Sequence, residues 1–460
     1  MAWRNLLRNS RRSAMTLIAM ALGLVAVLLF GGYVKDLIYG LQTEFVQSSG
    51  HLQIQHRDYF RLGSGNPAAY GIARYERIVQ TIKDDPVLEP LLVVVTPTLQ
   101  FGAIAGNFAS SVSRTVEVSG VVVEDQNRMR EWNDYADPTL TRPLSLSGTA
   151  PDTAVIGTGV ARVLQLCAPL GVPDCSAGAP QRDANGTALP DDIVALANPE
   201  ATRPANQAGS RHPRIEILAA NTRGAPNVAG VNILSAEFQG IKELDDVYVG
   251  MHLSQAQKLV YGSAPPQVTA IALQLKHTAQ IPQVRIRMEE LLATRLKDEP
   301  LDILDYEVLN PYYGQALSMF AAMFGFIAVL IGAIVLFTVT NTMSMAVVER
   351  TTEIGTLRAI GLKQSDIRAM FVTEGLMLGC LGAILGIAVA LLLAWVINHI
   401  GLTWLPPGRI EPIPLAVRVA GEYEMLLASA AVLVMVAALS AILPAARAAR
   451  MNIVDALRHA

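Results

Sequence analysis

The sequence predicts an α-helical membrane protein with four transmembrane helices and a large α+β extracytoplasmic domain inserted between helices 1 and 2. Three observations predict it. Four long runs are almost free of charge, in a chain of 460 residues of which 52% are apolar and 16% charged. Arginine and lysine crowd the ends of these runs in a pattern that one orientation explains. Between the first run and the second lies a long segment in which short β-like and helical stretches alternate.

The first span is 14–34, preceded by a short N-terminal segment, 1–13. Its twenty or so uncharged positions, at about 1.5 Å per residue, cover a hydrocarbon layer about 30 Å thick. Arg11 and Arg12 before it also suit a signal peptide, but the run is long and Gly31-Gly32-Tyr33-Val34-Lys35 after it offers no small-x-small cleavage site. The helical period continues beyond the span through Val34, Leu37, Ile38, Leu41 and Phe45, which predicts a stalk rising from the bilayer.

Stalk and domain together occupy 35–315. Within them 91–95, 116–123, 215–219, 247–249 and 270–275 read as strands, and 75–83 and 284–296 as amphipathic helices. The two helices neighbour strands in similar βα arrangements, so one lobe is expected from the two distant ends of the insertion and a second from its middle. At 169–214 the composition turns to Pro, Gly, Ala, Asn and Asp, which predicts a long mobile surface insertion.

The second span is 316–345, a connector follows at 346–370, the third span is 371–400, a short loop covers 401–424, and the fourth span, 425–443, is ended by Pro444 before the tail 444–460. Arg4, Arg8, Arg11 and Arg12, then Arg350, Arg358, Lys363 and Arg368, then Arg447, Arg450 and Arg458 put three segments on the cytoplasmic side. Gly375, Gly379, Gly382 and Gly386 form a small-residue ridge on one helical face for close helix packing. No charge lies in the middle of a span, which removes the usual mark of proton relays, and Glu374 reads as interfacial.

Chemistry is harder to find. The net charge of −3 and the placement of the basic residues argue against nucleic acid as a partner. Three cysteines occur, without metal or redox spacing. Cys167 and Cys175 share a loop and form a possible disulfide if it faces an oxidising compartment, two unpaired thiols being the alternative; Cys380 reads as packing. His51 and His56 fall on opposite faces of a strand-like stretch and read as surface residues, so no metal is expected. The pairs Asp84-Asp85, Asp191-Asp192, Asp245-Asp246 and Glu289-Glu290 diverge in direction and read as solvated. No P-loop, GxSxG or HExxH is present, so energy must come from elsewhere and no catalytic residue is assigned.

One segment carries more. Glu349-Arg350-Thr351-Thr352-Glu353-Ile354-Gly355-Thr356-Leu357-Arg358-Ala359-Ile360-Gly361 follows the second span: Glu349, Arg350, Glu353 and Arg358 offer charge to a polar partner, Ile354 and Leu357 offer apolar anchors, and Gly361 suits a helix C-cap. A charged turn without a partner is the alternative. The segment resembles the R-x-x-E-I-G-x-L-R-A-I-G signature of the FtsX/MacB/LolC-LolE superfamily of ABC transporter permeases, where it forms the cytoplasmic coupling helix. Trp3-Arg4-Asn5-Leu6-Leu7-Arg8 is similar to that family's amphipathic N-terminal helix. Pro444 to Arg450 with Asp455-Ala456-Leu457-Arg458 is similar to its terminal motif, with Ile453 near a usual proline, and Val155-Ile156-Gly157-Thr158-Gly159-Val160-Ala161 resembles a segment of the MacB-like periplasmic core.

The resemblance implies a non-catalytic permease subunit in the bacterial inner membrane, its large domain in the periplasm. It implies a cytoplasmic ABC ATPase that binds ATP and Mg and engages Glu349, Arg350, Glu353, Ile354, Gly355, Leu357, Arg358, Ala359 and Gly361. It also implies a second permease chain, identical or paralogous, contact with membrane lipid, and mechanotransmission to a lipoprotein or other periplasmic substrate through Leu37, Leu41 and the stretch before Ala316. Lipoprotein or amphiphile extraction, periplasm-to-outside efflux, and regulation of a cell-wall hydrolase are open within that reading, the last disfavoured by the large domain. A membrane-anchored sensor or adhesin is the alternative outside it; a membrane-embedded hydrolase lacks a nucleophile.

Overall fold

The computed structural model describes residues 10–63, 67–136, 143–173, 212–405 and 412–451. The expected N-terminal helix at Trp3–Arg8, Cys175, most of the 169–214 insertion, Asp191-Asp192, Ile453 and Arg458 lie outside the described residues. The chain divides into two compact units, one of Met1–Tyr39, Tyr312–Trp404 and Ile413–Ala460, the other of Gly40–Pro311 and Leu405–Pro412.

Helix α1, Ser10–Ser49, continues past the apolar run as its periodicity predicts and contributes to both units. Its last turns bury Gln42, Thr43, Val46 and Gln47, while Leu37, Ile38, Leu41 and Phe45 are only half-buried. The buried stripe is thus offset from the apolar one because its glutamines are tied by hydrogen bonds: Gln47 donates to the Trp132 carbonyl at 2.7 Å, and its own carbonyl accepts from Gln126.

Among the described residues nine strands then form one sheet. In chain order the elements are β1 Leu52–His56, α2 Tyr75–Lys83, β2 Leu92–Asn107, β3 Val112–Val121, α3 Val123–Arg130, β4 Thr153–Gly157, α4 Thr158–Val163, β5 Arg214–Ala220, β6 Pro226–Glu237, β7 Tyr248–His252, α5 Leu253–Tyr261, β8 Ala270–Leu275, α6 Ile281–Thr294 and β9 Leu301–Asp305. The sheet order β3-β7-β4-β6-β5-β2 closes on itself through β2–β3 pairing, while β8, β1 and β9 extend from the first half of β2.

The extension has β1-α2-β2 and β8-α6-β9 in antiparallel pairing, so the two ends of the insertion do lie together. The middle does not separate into an independent lobe, because β2 runs through both parts and one apolar cluster joins them, including Ile78 and Ile82 of α2, Val284 and Met288 of α6, and Ile215, Val231 and Val249 of the ring. Strict alternation makes the ring two-faced, as in β5, where Ile215, Ile217 and Ala219 are buried and their neighbours exposed.

Past the sheet come α7 Pro311–Glu349, α8 Thr351–Ala359, α9 Gln364–Ile400 and α10 Tyr423–Arg450. Among the described residues α1, α7, α9 and α10 are long and apolar enough to cross a membrane. They share a core of Met20, Leu24, Leu28, Val335, Val339, Met343, Leu378, Leu433 and Ala437, yet Phe326, Phe337, Ile384 and Leu427 turn two thirds or more of their surface outward. Water solvates so much apolar surface poorly, whereas a bilayer accepts it.

One expectation is corrected by the helix ends. Pro444 does not end the fourth helix; it lies inside α10, buried, and the helix continues to Arg450. The proline lacks the N–H that would bond the Ser440 carbonyl, and the Thr340 hydroxyl of α7 donates to that carbonyl instead, at 3.3 Å. The glycine ridge of α9 packs closely as expected, and against two helices. A Cβ on Gly375 or Gly379 would meet Ala437 or Ala441 of α10 at 2.7–3.2 Å, and one on Gly382 or Gly386 would meet Met20 or Leu24 of α1 at 2.9–3.1 Å.

Candidate functional site

The chain turns twice between α7 and α9, and both turns have a local cause. Arg350 leaves helical geometry at φ −110° and ψ 20°, and the Thr351 hydroxyl covers the freed Val348 carbonyl at 2.7 Å. After α8, Gly361 adopts φ +108°. The Gly361 N–H bonds the Arg358 carbonyl and the Leu362 N–H the Leu357 carbonyl, at 3.1 and 3.2 Å, the paired bonds of a Schellman stop. Glycine takes that left-handed conformation without Cβ strain. Helix α9 then starts with the Asp366 carboxylate accepting the Lys363 N–H at 3.1 Å, a negative charge at a helix N-terminus.

One side of α8 is buried. Ile354, 1% exposed, packs among Val347, Ile367, Phe371, Ala445, Ala448 and Ala449, with Leu357 half-buried beside it and Gly355 also buried. Arg350, expected to present charge to a partner, instead points inward. Its Nη1 donates to both carboxylate oxygens of Glu374, at 3.3 and 3.2 Å, and the two residues are 8% and 4% exposed. Glu374 is therefore not interfacial either. A lone acid at the edge of a charge-free run was the available signal that a buried partner exists. Arg358 donates to the Met451 carbonyl at the C-terminal end of α10, where cation and helix dipole attract.

The opposite side is exposed. Glu353, Thr356 and Ile360 recur at intervals of three and four and lie on one face, with Ala359 and Gly361 beside them and Glu349 exposed at the end of α7; Ile360 is 76% exposed. So the thirteen-residue motif resolves into two roles. Arg350, Ile354 and Gly355, with Leu357 and Arg358 in part, fix the helix to the bundle, and the stripe from Glu353 to Ile360 is the surface that faces outward.

Elsewhere the expected solvated groups are partly interior. His51 is fully buried. Asp85, also buried, accepts from Arg287, whose Nη2 lies 2.8 Å away, and from the Val87 and Leu88 N–H groups. That arginine holds the Asp85 carboxyl below its ordinary range. Buried Asp245 accepts from the Thr158 and Gly159 N–H groups, each at 2.8 Å, which ties β4-α4 to the start of β7. Cys167 is disulfide-bonded. No group of three His, Cys, Asp or Glu side chains suited to a metal occurs among the described residues.

Residues 322–453, which include α8, match the family described as "FtsX-like permease C-terminal". The chain is 35% identical over 147 residues to the ABC transporter permease YtrF of Bacillus subtilis, covering 29% of this chain and 31% of that protein. It is 31% identical over 157 residues to the uncharacterized ABC transporter permease MJ1507 of Methanocaldococcus jannaschii, covering 34% and 38%. With the macrolide export ATP-binding/permease protein MacB of Hyphomonas neptunium the figures are 27% over 195 residues, 42% and 29%. The chain thus spans roughly a third of the length of the curated relatives it matches. The motif, the four apolar helices and these matches agree: residues 322–453 carry an FtsX-like permease domain, and the chain is similar to ABC transporter permeases, MacB among them.

Proposed function

We propose that this chain is the permease subunit of a MacB/LolCDE-type ABC transporter in a bacterial inner membrane. In this reading the α+β unit lies in the periplasm, two permease chains pair, and a separate cytoplasmic ATPase binds ATP and Mg. The ATPase seats against the exposed stripe of α8, and its closure moves the α+β unit to extract a lipoprotein or another amphiphile. The chain itself performs no bond chemistry. The observation that carries the reading is the division of α8 into a pinned face and a solvent-exposed face: a lever needs a rigid root as well as a contact surface.

A second reading, export of small molecules or peptides from the periplasm, is favoured by relatives named for macrolide export and, in Pseudomonas syringae, for probable syringafactin export. Both readings need the same ATPase contact. Purification from native membranes by a tag on this chain should bring down ATP hydrolysis, and Glu353→Lys should reduce it about tenfold or more by placing like charge in a polar interface. Its detergent-phase elution profile should be unchanged. If neither wild type nor variant carries ATPase activity, a membrane-anchored receptor becomes the better account.

A further inference from the structure

The two ends of α10 are held by different partners. At its C-terminus the Met451 carbonyl accepts from Arg358 of α8. At its N-terminus Glu422, just before the helix, receives Lys35 Nζ on Oε2 at 2.7 Å and the Tyr39 hydroxyl on Oε1 at 3.1 Å, both from α1. Four residues earlier Arg418 Nε donates to Asp36 Oδ1 at 2.7 Å, and its guanidinium lies over the Tyr39 ring, 5.5 Å from the centroid.

The backbone joins in. The Arg418 N–H donates to the Gly32 carbonyl at 3.1 Å, and the approach is so close that a Cβ on Gly32 would lie 2.7 Å from the Arg418 carbonyl oxygen. Asn398 of α9 grips the same segment from another side, donating to the Val417 carbonyl at 3.1 Å and accepting its N–H at 2.8 Å. Val417 and Val419 are buried with Ala394.

These contacts oppose sliding. Helix α1 supplies a cation and an anion, Lys35 and Asp36, and the segment supplies their complements, Glu422 and Arg418. Side chains of Asp36, Arg418 and Glu422 are 18–23% exposed and that of Lys35 36%, so the pairs are shielded from salt more than open surface pairs are. Any axial displacement of α1 against the segment breaks both pairs and the backbone bond together.

We infer that α10 is a strut, with 417–422 as its fixed joint to α1, so that displacement of α8 reaches α1 through α10 and not only along α7, to which α8 is directly joined in sequence. Helix α10 has 28 residues, about 42 Å at about 1.5 Å per residue, and α1 runs on to Ser49. The joint rests on geometry alone; its use as a transmission path rests on the proposed function. A path of contacts is a route, and coupling along it is established by breaking it.

The experiment uses the full chain in lipid nanodiscs, with whatever ATPase co-purifies, and hydrogen–deuterium exchange as readout. Without nucleotide, Arg418→Ala with Glu422→Ala should speed exchange in 30–39 and 413–422 about tenfold, leaving α8 unchanged. Lys35→Glu alone should do the same in part, and adding Glu422→Lys should reverse it, which keeps the test open if the double alanine fails to fold. With ATP, wild type should change exchange at 40–49, and the alanine variant should lose that change while still hydrolysing ATP. Unaltered exchange in 30–39 without nucleotide overturns the joint. A nucleotide response at 40–49 that survives the alanines overturns the strut. Absence of associated ATPase instead sinks the proposed function, and the joint is then decided by the nucleotide-free comparison.

Discussion

His51 shows how far a single residue's surroundings override its type. Its Nδ1 accepts the Leu275 N–H at 3.0 Å, which leaves Nε2 to carry the proton toward Thr278 Oγ1 at 3.3 Å, and its ring meets Trp132 edge-on with centroids 4.8 Å apart. Burial pushes its pKa down to about 4, against a small opposing pull from Asp134. Since the unfolded chain takes up the proton near pH 6.5, the stabilisation is fully present above that value. It is lost as pH falls toward 4, about 3 kcal/mol in all. Denaturation midpoints followed by tryptophan fluorescence should fall over that window in wild type and fall distinctly less in His51→Asn, whose amide oxygen still accepts the backbone N–H. Equal slopes would remove His51 as the cause. Alternation puts His51 and His56 on opposite faces but does not reveal that both faces of the strand are covered, because β8 and β9, which flank it, come from more than two hundred residues away. Arg350 likewise finds its partner outside its own neighbourhood: Glu374 stands in α9, beyond α8.

At the level of elements, periodicity was a good guide where an element is amphipathic or uniformly apolar. Residues 75–83 and 270–275 appear with the expected limits as α2 and β8. It failed where a neighbour supplies what the local sequence lacks. Local rules say that proline ends a helix, and α10 continues with Thr340 covering the Ser440 carbonyl that Pro444 leaves open. Thr340→Val should therefore cost about 1 kcal/mol, the scale of one unmet buried acceptor. In a Pro444→Ala background, where the backbone N–H is restored, it should cost close to nothing. Thermal unfolding of the four variants in one detergent measures both values, and equal costs in the two backgrounds would mean that the hydroxyl is not covering the proline gap. Strand β2 was underestimated because Gln100, Gly102 and Gly106 weaken its β signal, while pairing on both edges with β3, β5 and β8 holds all sixteen residues extended.

For the molecule as a whole, the apolar cluster of the α+β unit lies entirely between Leu52 and Leu301. A fragment covering 40–311 should accordingly fold in water with one cooperative thermal transition; gradual, non-cooperative melting would show that the unit depends on the rest of the chain. The sequence by itself determined the four apolar helices, the position of the α+β insertion between the first two, and the motif now seen as α8. Those features depend on hydrophobicity, charge placement and nearby spacing, all of which are local. Only the tertiary structure decided which side of α8 is exposed, that Arg350 and Glu374 neutralise each other, that two glycines of one ridge serve α10 and two serve α1, and that α1 is bound to Glu422 and Arg418. Each depends on groups brought together from distant parts of the chain, where burial makes an unpaired charge or carbonyl costly and so fixes its partner.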